Sequence, residues 1–260
     1  MKGLSLDAFT LKLIAIISMV AHHAFMVLWQ IFPIEFLVAM NFLMGVTFPI
    51  MAFFVVEGFN RTRNIKRYML RLLIFGAIAQ IPYMLAFGVP TLNIVFSILV
   101  GLICLQMHKK FYVEKSNKAL FVVLFILILI VSTFTVEGGF FGVLMIFLFN
   151  VIKGEMRRRT IPLIVYGGLM VLMSLLGNLA GDIAQLYTGE LHGMLAYAQA
   201  IGRYFSIPIG TFLIIPLLRA YNGNLGRKAK FLFYTVYPLH FVILVIIAMA
   251  LGLTGLNLPF

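Results

Sequence analysis

Acidic side chains are scarce in this chain. Eight Asp and Glu stand against twenty Lys and Arg, and the four types together make up 11% of 260 residues. So little charge cannot clothe a soluble domain of this length. No polar or low-complexity stretch is long enough to form a separate soluble domain, so one integral membrane domain over 1–260 is expected. There is a single cysteine, Cys104, which excludes an internal disulfide and leaves the redox compartment unread. An internal repeat is also missing, and the Gly and Pro residues do not mark two matching broken helices.

What fills the chain instead is apolar: 63% of residues are hydrophobic and the mean hydropathy is +1.08. A helix needs about 20 apolar residues to cross a bilayer. Runs of that kind occupy about 9–31, 36–59, 66–87, 91–107, 118–134, 139–152, 161–179, 194–219 and 229–252. The fold class expected is all-α, a polytopic transmembrane helical bundle of about nine spans, the sixth of them short. The first run follows Lys2 in the manner of a signal peptide. It is too long for one, lacks a small-residue cleavage pattern and carries two histidines.

The Lys and Arg residues alternate by connection. Lys2 and Lys12 flank the start of the first span, and Arg61, Arg63, Lys66, Arg67 and Arg71 follow the second. Lys109, Lys110, Lys115 and Lys118 follow the fourth, Lys153 and Arg157 to Arg159 the sixth, and Arg219, Arg227, Lys228 and Lys230 the eighth. The other connections carry Glu35, Glu137, Asp182 and Glu190 and no Lys or Arg. Under the positive-inside rule this gives an N-terminus inside, a C-terminus outside and an odd number of spans in the cytoplasmic (inner) membrane. The net charge of +12 is thereby used up as a topology signal. The lipid bilayer is the partner it implies, and no nucleic acid is required.

Some ionisable groups break the pattern. His22 and His23 sit inside the run 11–27, Arg203 in the middle of the eighth span and His240 in the ninth. Such groups in hydrocarbon are costly unless they face protein or a wet cavity, so at similar depth they suggest a functional centre. Adjacent helical residues point about 100° apart, so the two histidines cannot both face one pocket. The His23 face carries Lys12, Ile16, Met19 and Gln30, and the His22 face Leu11, Ser18, Phe25 and Trp29. Periodicity does not choose between them. In the ninth span, Pro238 interrupts the helical bonding beside Tyr237 and His240, which share a face. That suits a lined cavity, and the plainer reading is a proline break with aromatic packing.

At the cytoplasmic end of the second span Glu57 precedes Arg61 by four residues, the order that favours a helical ion pair. Arg67 and Arg71 then share one face of the third span, where like charges repel unless an anion lies between them. Arginine forks suit phosphate. With Arg61, Arg63 and Lys66 beside them, these residues form a candidate polyphosphate clamp. The plainer reading is a solvated cytoplasmic loop.

Several blocks in order along the chain carry a resemblance: LKLIAIISMVAHH, FPIMAFFVVEGFNRTRN, KRYMLRLLIFGAIAQIPYMLAFG, EGGFFGVL, YNGNLG and FYTVYPLH. Together they resemble the TraX family of membrane-bound N-acetyltransferases, named for the conjugative pilin acetylase and related to the wider membrane acyltransferases. The resemblance implies acetyl-CoA as cytoplasmic acyl donor, with no metal, and a catalytic histidine on the first helix at the position of His23. The family's usual aspartate before that histidine is His22 here, and its usual Gly-Arg before the Phe-Pro of the second span is Met44-Gly45.

The reading is an acyltransferase. His23 would act as the base, with His240, Tyr237 or Arg203 steadying the oxyanion. The donor phosphates would lie on Arg61, Arg63, Lys66, Arg67 and Arg71, next to Glu57. The resemblance implies a peptide N-terminus such as a pilin subunit as acceptor, and a saccharide or lipid is the alternative. A covalent acetyl-histidine route stays open. The competing class is a proton-coupled transporter with a His and Arg relay at the midplane.

Overall fold

The computed structural model describes residues 5–33, 36–114, 117–188, 194–228 and 230–253, apart from some helix side chains such as that of Arg203. The helices are α1 (Ala8–Val27), α2 (Phe36–Arg61), α3 (Ile65–Phe87), α4 (Ile94–Met107), α5 (Lys118–Thr135), α6 (Gly139–Val151), the short α7 (Glu155–Arg158), α8 (Ile161–Thr188), α9 (Met194–Arg219) and α10 (Lys230–Ala250). Among the described residues there is no named strand, only two isolated bridges. Each expected span coincides with one of the longer helices. Among the described residues, six stretches are long and apolar enough to cross a membrane: Ala8–Val27, Ala39–Arg61, Ile65–Phe87, Ile94–Val113, Lys118–Thr135 and Glu155–Leu176. Gly139–Val151, Phe205–Arg219 and Tyr234–Ala250 are shorter apolar helices. This is a multi-pass membrane protein.

Helix starts follow local chemistry. Asp7, Asn64, Asn93 and Asn117 each accept a backbone N–H of the first turn, from Thr10, Arg67, Val95 and Leu120 respectively. Capping by Asn93 explains why α4 begins at 94 and not at 91. Two boundaries differ more. The chain continues from α4 into a π-helical turn, His108–Val113, where a connection is expected. Helix α8 runs on to Thr188, so Asp182 lies on a helix and not in a connection, its side chain outside the described residues, as is Glu190. No proline falls between 163 and 188, and a glycine in a helix interior costs only about 1 kcal/mol.

The chain divides into two compact units, Met1–Ile50 with Arg159–Gly226 and Met51–Arg158 with Arg227–Phe260. In the first, α8 packs on α9. Helix α2 crosses α9 at two glycines. A Cβ on Gly45 would run into the Ile207 carbonyl, and one on Gly210 into the Phe42 carbonyl. Thr211 Oγ1 donates to the Gly45 carbonyl at 3.3 Å across this crossing. Small residues letting backbones approach are the usual means of joining helices in lipid. Thr47 Oγ1 lies 3.3 Å from the Ala15 carbonyl and links α2 to α1.

One end of this unit is tied by backbone. Leu6 N–H donates to the Ala220 carbonyl and Ala8 N–H to the Asn224 carbonyl, while Asn222 N–H donates back to Leu6. Buried Arg159 closes the same end, donating to the carbonyls of Tyr221 at 2.9 Å and Arg219 at 3.3 Å. The YNGNLG block thus docks the start of α1. The segment before α1, Arg159 and the 219–224 segment therefore share one end of this unit.

In the second unit α3 packs on α4 and α10, and α6 packs on α4 and α5. Buried Asn93 pins α4 to α3, donating to the Gly76 carbonyl at 2.8 Å and to Gln80 Oε1 at 2.9 Å. The 3–4 and 5–6 connections are zipped together: Leu92 N–H donates to Thr135 and Glu137 N–H to Leu92. Glu57 and Arg158 join the 2–3 and 6–7 connections. On α5, Val123, Ile126, Leu127, Ile130, Val131 and Phe134 are exposed while Phe121, Leu129 and Ser132 are buried. An apolar outer face of this kind belongs in lipid.

Candidate active site

His23 lies in the first unit, on the stripe of α1 that buries Ala8, Ala15 and Met19. It is 6% exposed, whereas His22 next to it is half-buried. The rings lie 5.5 Å apart at 53°, so the two imidazoles meet different surroundings, as the helical step demands. Lys12 and Ile16 on the His23 side are half-buried and Gln30 is exposed. Arg203 lies on α9 of the same unit, and its side chain is outside the described residues.

The second unit brings Tyr237 and His240 together on α10. Their rings are 5.6 Å apart, both side chains are buried, and His240 also rests 4.0 Å from the Phe241 ring. Helix α10 runs through Pro238. His240 Nδ1 lies 2.9 Å from the Val236 carbonyl, which orients the ring from its own helix. The Tyr237 hydroxyl is buried and makes no hydrogen bond of normal geometry, with the Ile94 N–H beside it and the Glu137 carboxyl within electrostatic reach.

Glu137 is a residue that sequence reasoning reads only as a charge on an outer connection. Its Oε2 accepts the Ile94 N–H at 3.0 Å, and the Ser97 hydroxyl donates to its backbone carbonyl. As a whole residue Glu137 is half-buried. Even so, burial pushes the acid up to about 7, while the Ile94 N–H and the Tyr83 hydroxyl pull it down.

The cationic end of the second unit has a different character. Glu57 accepts from Arg61 at 2.7 Å and also from Arg158. The Arg158 guanidinium stands 5.1 Å from the centre of the Phe53 ring. Arg63, Lys66 and Arg67 are exposed around the start of α3, and Arg71, one turn in, is half-buried with its guanidinium 5.8 Å from the Tyr68 ring. The Nε atoms of Arg71 and Arg158 are buried without a hydrogen-bond partner. Arg158 is missing from the clamp as read from sequence. The run Arg157 to Arg159 announces charge, not which arginine turns inward.

The profile of the TraX protein family matches residues 7–248. The chain belongs to the TraX family. It is also 28% identical over 259 residues to the probable fimbrial assembly protein FimC, serogroup H1, of Dichelobacter nodosus, an alignment covering 94% of this chain and 96% of that one. No solved structure matches it. The TraX match runs through both units and takes in His22, His23, the α2–α3 cations, Glu137, Tyr237 and His240.

Proposed function

We propose that this TraX-family protein is a membrane-embedded acyltransferase. It moves an acetyl group from cytoplasmic acetyl-CoA to an amine, with the N-terminus of a pilin-type subunit as acceptor. The observation that carries the reading is the TraX match over residues 7–248. A relative named for fimbrial assembly supports the choice of acceptor. The proposal includes nine crossings of the inner membrane, with the N-terminus and the 61–71 segment inside.

The donor supplies an activated acetyl thioester. Its phosphates suit the cationic end of the second unit, where Arg71 and Arg158 have buried Nε donors without partners, beside exposed Arg63, Lys66 and Arg67. Glu57 is the counter-charge that holds Arg61 and Arg158 in place. In the first unit His23 is assigned the role of base: neutral, it takes the proton of the attacking amine. Arg203, on α9 of the same unit, is assigned to the developing oxyanion. The amine nitrogen gains the acyl carbon, the thioester C–S bond breaks, and the proton is passed to the leaving thiolate.

Purified protein in detergent should hydrolyse acetyl-CoA slowly without acceptor, and faster transfer should follow when a peptide with a free N-terminus is added. A proton-coupled transporter has no reason to do either. Absence of both activities, with proton-coupled uptake by protein in vesicles, would overturn the reading.

A further inference from the structure

Glu137 sits in the second unit, where α5 turns into α6, next to polar groups of α3, α4 and α10. From α3 come the Tyr83 hydroxyl and, one turn back, Gln80. From the 3–4 connection Thr91 Oγ1 lies 3.5 Å from the Tyr83 hydroxyl, and α4 contributes the Ile94 N–H on the carboxyl and Ser97 on the Glu137 backbone carbonyl. From α10 come Tyr237 and, beside it, His240. None of these is Lys or Arg, and among the described residues no cation pairs with Glu137.

Capping alone does not account for this acid. The start of α4 is already capped by Asn93, whose Oδ1 accepts from Val95 N–H at 3.1 Å. Gln80 and Asn93 bond each other and the backbone, so their donors are used. What remains is a carboxyl with about four acceptor sites, of which the Ile94 N–H and the Tyr83 hydroxyl fill two, and an unused hydroxyl. Tyr237, whose hydroxyl this is, is only 7% exposed. A buried acid without a cation and a hydroxyl without a partner are together the complement of a ligand that brings charge and several N–H donors.

We propose that Glu137, with the Tyr83 and Tyr237 hydroxyls, binds a primary ammonium group, the amine end of the acceptor, and takes from it the proton that must leave before nitrogen can attack. The second half rests on the acyl-transfer reading; the first half does not. The step balances: an ammonium and a carboxylate become a neutral amine and a neutral acid. It is also energetically matched. An α-ammonium releases its proton near 7.7–8.0, and burial has brought Glu137 to about 7, whereas an ordinary carboxyl near 4.5 would be a far poorer acceptor.

The test uses a short peptide with a free N-terminus and its N-acetylated twin, bound to the full-length protein in detergent at pH 8. The free amine should bind at least tenfold tighter, and lowering the pH to 5.5 should shrink the preference as Glu137 protonates. Glu137→Gln keeps the acceptor for Ile94 N–H and should abolish the preference. Tyr237→Phe should reduce it severalfold and serves as the second variant if the first folds poorly. Equal or undetectable binding of the two peptides by the wild type, or a preference that survives Glu137→Gln, overturns the proposal. Acetyl-CoA hydrolysis by the wild type is scored separately. Preference with neither hydrolysis nor acetylation of the peptide sinks the acyl-transfer reading and keeps the amine site, and hydrolysis without preference does the reverse.

Discussion

Arg158 bonds the carboxylate of Glu57 from 101 residues further along the chain, and in doing so lays its guanidinium over the Phe53 ring. Within the second unit this contact fixes the end of α2 to α7. Glu57 holds Arg61 as well, but that pair is one turn of a helix with Arg61 45% exposed, and exposed pairs of this kind contribute about 0.3–0.5 kcal/mol. The two contacts should therefore be unequal. Arg61→Ala should leave thermal unfolding in detergent almost unchanged. Glu57→Gln strands a more enclosed charge, which costs about 1–3 kcal/mol, and should lower the midpoint by several degrees. Equal losses would mean that the long-range bond adds nothing.

Arg67 and Arg71 stand one turn apart on α3, the first exposed and the second half-buried against Tyr68. If they hold donor phosphates, Arg67→Ala combined with Arg71→Ala should weaken coenzyme A binding at least tenfold, since each charge-assisted contact contributes about 1.5–3 kcal/mol. Calorimetric titration of the folded double variant measures it. An unchanged affinity leaves these residues as a topology signal only.

Gly45 and Gly210 make the tightest approach in the first unit, backbone against backbone. Gly45→Ala places a methyl group on the Ile207 carbonyl, which cannot swing aside, so a loss of about 1–3 kcal/mol is expected from overpacking. Gly168 is the control. A Cβ there meets nothing within 4 Å, and Gly168→Ala should be neutral or stabilising by up to about 1 kcal/mol. Thermal midpoints of the two variants decide the matter, and similar values for both would remove the crossing from the account of stability.

The apolar runs made the helices legible because length and hydropathy alone set a membrane span. Glu57 with Arg61 was legible too, being a spacing within one helix. What sequence did not offer was any relation across the fold. Nothing in Arg157 to Arg159 tells which residue finds Glu57 and which finds Tyr221, and nothing beside Glu137 in sequence tells what α3, α4 and α10 bring to it. The end of α8 was misread because a connection was assumed wherever hydropathy fell, although no proline stops that helix before Thr188.

Orientation follows from the same charges and is open to direct measurement. The native Cys104 is buried, so an introduced thiol can be read against a low background. Asn64→Cys should react with a membrane-impermeant maleimide only after the cells are opened. Val89→Cys, on the connection joined to 136–137, should react in intact cells. The reverse pattern inverts the topology and moves the cationic end away from any cytoplasmic donor.

His23 is the most exposed assignment. It is buried on the α1 stripe beside Met19 and Ala15, and His22 is half-buried on a neighbouring face. As the base, His23 should be needed for proton removal and not for holding the donor. His23→Ala should then lose acyl transfer by about 10²-fold or more, with coenzyme A affinity retained. His22→Ala should keep much of the activity, and His22→Asp, which restores the residue usual in the TraX family, should be tolerated. Because either change can leave a buried partner unsatisfied, the comparison needs folded protein with thermal midpoints alongside rates. A dead His22→Ala beside an active His23→Ala would place the catalytic face one residue away, on the side of Leu11, Ser18 and Phe25.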